Sequence, residues 1–173
     1  IFVSCIQPPF SPFARARALG AAVGAFCGTL GDKRILFVGS GGLAHNPAAL
    51  FPPIDSVQPE WRPYILQGKA QAEVPQQAWI DYEIAAHQMG AQMLASDQVT
   101  PQMAGLNEAW DQAFLDAYGS GDLSVFDRWD PQQVMAEAGI GAVETQAWIA
   151  AAAAMQAAGG GAPRTTFQRL AKE

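Results

Sequence analysis

Lys33-Arg34-Ile35-Leu36-Phe37-Val38-Gly39-Ser40-Gly41-Gly42-Leu43-Ala44-His45-Asn46-Pro47 is the stretch that decides how this chain reads. Four consecutive large apolar residues, 35–38, suit a short strand covered on both faces. A glycine-rich loop follows at once and carries a histidine. Upstream, Phe13, Ala16, Leu19, Gly20, Val23, Phe26 and Cys27 recur on one helical face, with Arg15 outside it. Ser11-Pro12 predicts an N-cap followed by proline at the first helical position, and Gly28 and Gly31 predict the stop. Earlier still, Ile1-Phe2-Val3-Ser4-Cys5-Ile6 is another nearly continuous apolar run. Strand, helix, strand with short loops is a βαβ unit, which predicts two parallel strands at 1–6 and 35–38.

After Val38 the strand signals stop. Six prolines (Pro47, Pro52, Pro53, Pro59, Pro63, Pro75) mark 46–76 as a long surface excursion. Helices are predicted over about 77–94, 106–118, 130–139 and 142–158. The third opens on Asp130-Pro131-Gln132-Gln133, a capping-box pattern, and stops at Gly139. There is no internal repeat. The fold class is therefore α/β, a parallel-sheet βαβ core followed by a helical C-terminal part. Two strands cannot make a doubly covered parallel sheet. The expectation is that 1–6 is an interior strand and that a missing N-terminal half or a second chain completes the sheet.

Composition sets the outer bounds. With 173 residues, half of them apolar and 15% charged, the chain is one domain or part of one and can bury a core. Ten basic against 16 acidic residues give a net charge of −6, and the scattered Arg and Lys argue against nucleic acid. The most apolar stretch, Ala147 to Met155, is far shorter than the ~20 residues a membrane-spanning helix needs. Cys5 and Cys27 sit in apolar contexts and read as buried thiols, which makes a reducing cytoplasm the expected location.

The chemistry concentrates in two places. The loop 39–46 follows a predicted strand, where ligands bind in open α/β sheets. Its glycines let the backbone turn sharply and approach a ligand. His45 lies in it, a residue type that moves protons near neutral pH. The bland alternative is a glycine turn with an exposed histidine. No G-x-G-x-x-G opens a helix here, and no Gly-Lys-Ser/Thr follows, so neither a dinucleotide fingerprint nor a P-loop is present. The second place is Glu144, in the first turn of an otherwise almost uncharged helix. A carboxylate there is favoured by ~0.3–1 kcal/mol through the helix dipole, which is the bland reading. It could also be one metal ligand. His87 shares a stripe with Ile80, Ile84, Ala91 and Leu94 and reads as packed core, as do Trp110 and Phe114 one turn apart. A facial triad needs two histidines and a carboxylate, so any metal would take ligands from elsewhere.

At this point the residues carry a resemblance. The string from Ile35 to Pro47 resembles the strand and loop of class III extradiol ring-cleavage dioxygenases, of the 2,3-dihydroxyphenylpropionate 1,2-dioxygenase type. Three stretches agree in order: Phe10 to Leu30, Leu106-Asn107-Glu108-Ala109-Trp110-Asp111-Gln112-Ala113-Phe114, and Glu144-Thr145-Gln146-Ala147-Trp148. The resemblance covers the C-terminal half of such an enzyme. It implies that 1–158 is that half and 159–173 a divergent tail, lacking the family's tyrosine-rich segment. It implies Fe(II) as cofactor, with Glu144 as the ligating carboxylate and two histidine ligands from an N-terminal half or second polypeptide. His45 would be the catalytic histidine of this half, and Gly41 and Gly42 would let the ring approach the backbone. A catecholic substrate and O₂ are the implied partners, within an oligomer. Two alternatives stand beside it: a non-catalytic subunit that keeps the fold without the iron, and a small-molecule binding module whose loop holds an anion.

Overall fold

The computed structural model describes residues 1, 3, 5, 9–46, 55, 59, 62, 76–96 and 105–166. The chain divides into two units, Ile1–Asn46 with Gly105–Glu173, and Pro47–Ala104. Among the described residues the α-helices with defined bounds run in the order α1 (Phe13–Gly28), α2 (Gln76–Ala95), α3 (Glu108–Gly119), α4 (Pro131–Ala138) and α5 (Thr145–Ala157). The 3₁₀ helices Leu123–Arg128 and Ile140–Glu144 lie before α4 and before α5.

Among the described residues all regular structure is helical, and the parallel βαβ core expected from the sequence is not formed. Residues 33–42 run without helical or ladder pairing, and so do residues 1, 3 and 5. The physical reason lies in what makes a strand: its backbone groups are satisfied by a neighbour, not by itself. Leu36 and Val38 are 85% and 77% exposed, so this apolar run lacks a cover on that side. Ile1 is also exposed, whereas Cys5 is buried.

Side chains cap the starts of α3 and α4 but not those of α1 and α5. For α1 the cap is Pro12 rather than Ser11, and no side chain caps it. The Pro12 carbonyl accepts from Arg15 N at 3.0 Å, while the Ser11 carbonyl accepts from Gln146 Nε2 at 2.7 Å. Asn107 Oδ1 caps α3 through Trp110 N, and Asp130 Oδ1 caps α4 through Gln132 N. The capping box of α4 is half formed, because Gln133 reaches forward to Glu137 Oε1 at 2.8 Å instead of back. Gly139, at φ 80°, ends α4 in the left-handed region that favours glycine.

The core of this unit has two parts. Phe114 sits at the centre of an aromatic cluster, with Trp110, Tyr118, Phe126, Trp129 and Trp148 within 6.0 Å between ring centroids. Arg17 ties α1 to the first 3₁₀ helix by a forked bond to Asp127, Nε to Oδ1 at 2.7 Å. That guanidinium holds the Asp127 carboxyl below its usual range.

The other part is a seam of small residues. The buried face of α1 is Phe13, Ala16, Gly20 and Gly24, a narrower stripe than the periodicity predicts, and Leu19 and Phe26 are exposed. Gly20 and Gly24 press on the backbone of α5, where an added Cβ would run into the carbonyls of Ala150 and Ala154. Gly20→Ala should therefore destabilise the folded protein by about 1–3 kcal/mol, since backbone cannot yield as a side chain can. The gain in helix propensity, up to ~1 kcal/mol, opposes this and is smaller. Gly28, with nothing near its missing Cβ, is the control. Denaturant midpoints read both variants, and an equal or higher midpoint for Gly20→Ala would contradict the seam.

The second unit is described mainly by α2. Its His87 is exposed, not packed core as the stripe suggests, and Nδ1 donates to the Glu83 carbonyl at 2.7 Å within the same helix. Ile80 and Ile84, its partners on that stripe, are exposed as well. The stripe reports periodicity, and burial needs a packed neighbour besides. Most of the proline-rich excursion at 46–76, and residues 2, 4 and 6 of the first apolar run, lie outside the described residues. Among the described residues no helix is long and apolar enough to cross a membrane.

Candidate functional site

The glycine-rich loop and the start of α5 meet face to face. Gly42 N donates to Glu144 Oε2 at 3.1 Å, across 102 residues of sequence. Gly41 allows this approach: its φ is 150°, and a Cβ there would lie 2.8 Å from Glu144 Cβ. Glu144 closes the 3₁₀ helix Ile140–Glu144 and occupies the cap position of α5, yet its side chain makes no cap hydrogen bond. The helix-dipole account of this acid is thus incomplete, because the carboxylate is turned to the loop.

His45 is seated on the same 3₁₀ helix. Gly141 N donates to the His45 carbonyl at 3.0 Å. The imidazole fits between two glycines: a Cβ on Gly42 would lie 2.5 Å from Cε1 and 2.9 Å from Nδ1, and one on Gly141 would overlap the ring. His45 Nδ1 donates to the Leu43 carbonyl at 2.7 Å, because a carbonyl can only accept. Nε2 is then the ring nitrogen that this carbonyl does not engage.

One residue of this arrangement escaped the sequence reading. Asp111 of α3 is buried, and its Oδ1 accepts from Ala44 N at 2.8 Å. Burial pushes its carboxyl up from the usual range, while the Ala44 N–H and the charge of a protonated His45 pull it down. The signal was present: Asp111 stands between Trp110 and Phe114 on the inward face of α3. A charged residue on an apolar helix face is the informative exception.

Cys5 borders the site electrostatically. Burial, and secondarily the Glu144 carboxylate, push its thiol up to about 11. The thiolate is the reactive form, so Cys5 should resist alkylation near neutral pH. Cys27, half-buried rather than buried, should be labelled first by iodoacetamide in the folded protein. Mass mapping of the adducts checks this, and early modification of Cys5 would contradict it.

For a metal, the arrangement offers one carboxylate whose orientation is fixed by a backbone N–H. Among the described residues no cluster of three or more His, Cys, Asp or Glu could hold an ion. Glu144 fits one ligand position of an iron facial triad, and the described residues do not complete the set.

Residues 1–169 match the family described as the catalytic LigB subunit of aromatic ring-opening dioxygenase. Among similar proteins is the 2,3-dihydroxyphenylpropionate/2,3-dihydroxicinnamic acid 1,2-dioxygenase of Mycolicibacterium gilvum, 40% identical over 173 residues, 100% of this chain and 52% of the relative. The enzyme of the same name from Mycobacterium ulcerans is 40% identical over 159 residues, 92% of this chain and 48% of its own. That from Rhodococcus sp is 37% identical over 169 residues, 98% of this chain and 51% of its own. The class is that of ring-opening dioxygenases. The chain belongs to the LigB family of class III extradiol dioxygenases. It spans about half the length of the curated relatives it matches.

Proposed function

We propose that this chain, residues 1–158 with a divergent tail at 159–173, supplies the C-terminal half of an Fe(II)-dependent extradiol dioxygenase. The assembled enzyme opens a catecholic ring next to its diol and inserts both atoms of O₂. The observation that carries the reading is the Gly42 N–H to Glu144 Oε2 bond, which joins the histidine-bearing loop to the carboxylate. The names of the relatives support an aromatic substrate carrying two adjacent hydroxyls.

In this reading Glu144 is the carboxylate ligand, and two histidines come from an N-terminal half or a second polypeptide. Held by Glu144 and those two histidines, Fe(II) would supply the Lewis-acid and electron-transfer chemistry that links a catechol to O₂. The chain's own residues do the rest. Gly42 N–H fixes the carboxylate. Gly41 and Gly42 present no side chain, so the flat ring can lie against the backbone. His45 Nε2 exchanges a proton with substrate as the ring opens. The exposed apolar residues Ile35, Leu36 and Val38 form the surface the completing half covers.

The test uses the complete iron-loaded assembly with 2,3-dihydroxyphenylpropionate. Oxygen uptake should match formation of a yellow ring-opened product one to one and should vanish without Fe(II). Binding of the catechol with no uptake of O₂ in iron-loaded protein would overturn the proposal.

A further inference from the structure

We propose that Asp111 is the positioning residue for His45: acting through the Leu43–Ala44 peptide, it fixes the ring proton on Nδ1 and leaves Nε2 to exchange with substrate. This rests on the reading of His45 as the proton-transfer residue.

The two hydrogen bonds on either side of His45's own loop use opposite ends of one amide. Ala44 N–H donates to Asp111 Oδ1 at 2.8 Å, and the Leu43 carbonyl of that same peptide accepts from His45 Nδ1 at 2.7 Å. An amide is conjugated, so its two ends are electronically linked. A carboxylate on the N–H draws negative charge toward the carbonyl oxygen and strengthens the bond that oxygen accepts. Asp111 thus addresses the imidazole without touching it. The sequence offers no side-chain acid beside His45 in the chain, and the peptide takes that place.

Two further features fit a fixed ring better than a loop merely pinned at its base. Gly42 and Gly141 wall the imidazole so closely that a Cβ on either would collide with it. The carbonyl of His45 is itself held by Gly141 N at 3.0 Å. With backbone and ring both held, the remaining freedom is which nitrogen carries the proton. In water a neutral histidine prefers Nε2–H. The site must reverse that preference for Nε2 to accept a proton, and a strengthened Leu43 carbonyl does so. Asp111 also sits on the rigid helix α3, beside Trp110 and Phe114 in the core, so its position does not follow loop motion.

The tautomer can be read directly from long-range ¹H–¹⁵N spectra of the complete, iron-free protein. The His45 signals are identified by their loss in His45→Gln. The parent should show Nδ1–H alone, and a parent in the Nε2–H form would overturn the proposal without any change at Asp111. Asp111→Asn keeps an acceptor oxygen and should keep Nδ1–H. Asp111→Ala should bring in the Nε2–H form, and persistence of Nδ1–H alone in that variant would also overturn the proposal. In the iron-loaded enzyme, Asp111→Ala should lower kcat about ten- to hundredfold, what a hydrogen bond to a charged group is worth. KM for the catechol should stay nearly constant, and Asp111→Asn should recover most of kcat. A changed tautomer with full turnover would leave the peptide relay standing and sink the proton-transfer reading of His45 instead.

Discussion

Glu144→Ala is expected to abolish iron occupancy and ring opening in the assembled enzyme. Glu144 is the carboxylate that the loop orients, through Gly42 N at 3.1 Å. Alanine removes the ligand and leaves the Gly42 N–H without its partner. A facial triad reduced to two histidines loses its one anionic ligand, and with it the charge that holds a divalent ion. Metal analysis after gel filtration reads the result apart from activity. The helix itself should survive, because Glu144 makes no cap hydrogen bond to α5 and alanine is a good helix former. Retained stoichiometric iron would leave Glu144 only its structural link to Gly42 N and its place at the helix dipole.

His45→Gln should behave differently, with iron content and catechol binding nearly unchanged and turnover slowed by ~10²–10⁴-fold. Glutamine can occupy the slot between Gly42 and Gly141 and can donate to the Leu43 carbonyl as Nδ1 does. What it lacks is a nitrogen that gains and loses a proton near neutral pH. The contrast between the two variants separates a ligand from a proton carrier. Unchanged turnover would remove His45 from the chemistry, and lost iron would make it a ligand or a support of the site.

The helices were legible because their signals are local. Asp130 and Gly139 bracket α4, Gly119 ends α3, and a run of alanines fills α5, all within a few residues of sequence. The two 3₁₀ helices were not legible, since five or six residues carry too little periodicity to distinguish them from turns. The expected strands failed for a different reason. Leu36 and Val38 have the side chains of a buried strand, yet a ladder needs a second backbone, which a string of residues does not reveal. His87 shows the same lesson on a helix: its stripe is real and it is exposed nonetheless. Gly41, Gly42, His45 and Glu144 were singled out from motif and resemblance, and the fold brings the loop against Glu144. Asp111 was passed over because its neighbours Trp110 and Phe114 claimed that face for the core, and its partner is a backbone N–H with no sequence mark.

The glycine seam has a consequence beyond stability. Side chains that interdigitate can repack when a helix slides, but Gly20 and Gly24 meet bare carbonyls of α5 and leave nothing to repack. The seam therefore works as a length gauge. Any axial slip of α5 would bring a Cβ, where now there is backbone, against α1. Glu144 stands six residues before Ala150, roughly 9 Å along the helix at ~1.5 Å per residue. The reach of the carboxylate toward the loop is thus calibrated from a point remote from the chemistry, and a single methyl group at position 20 would reset it.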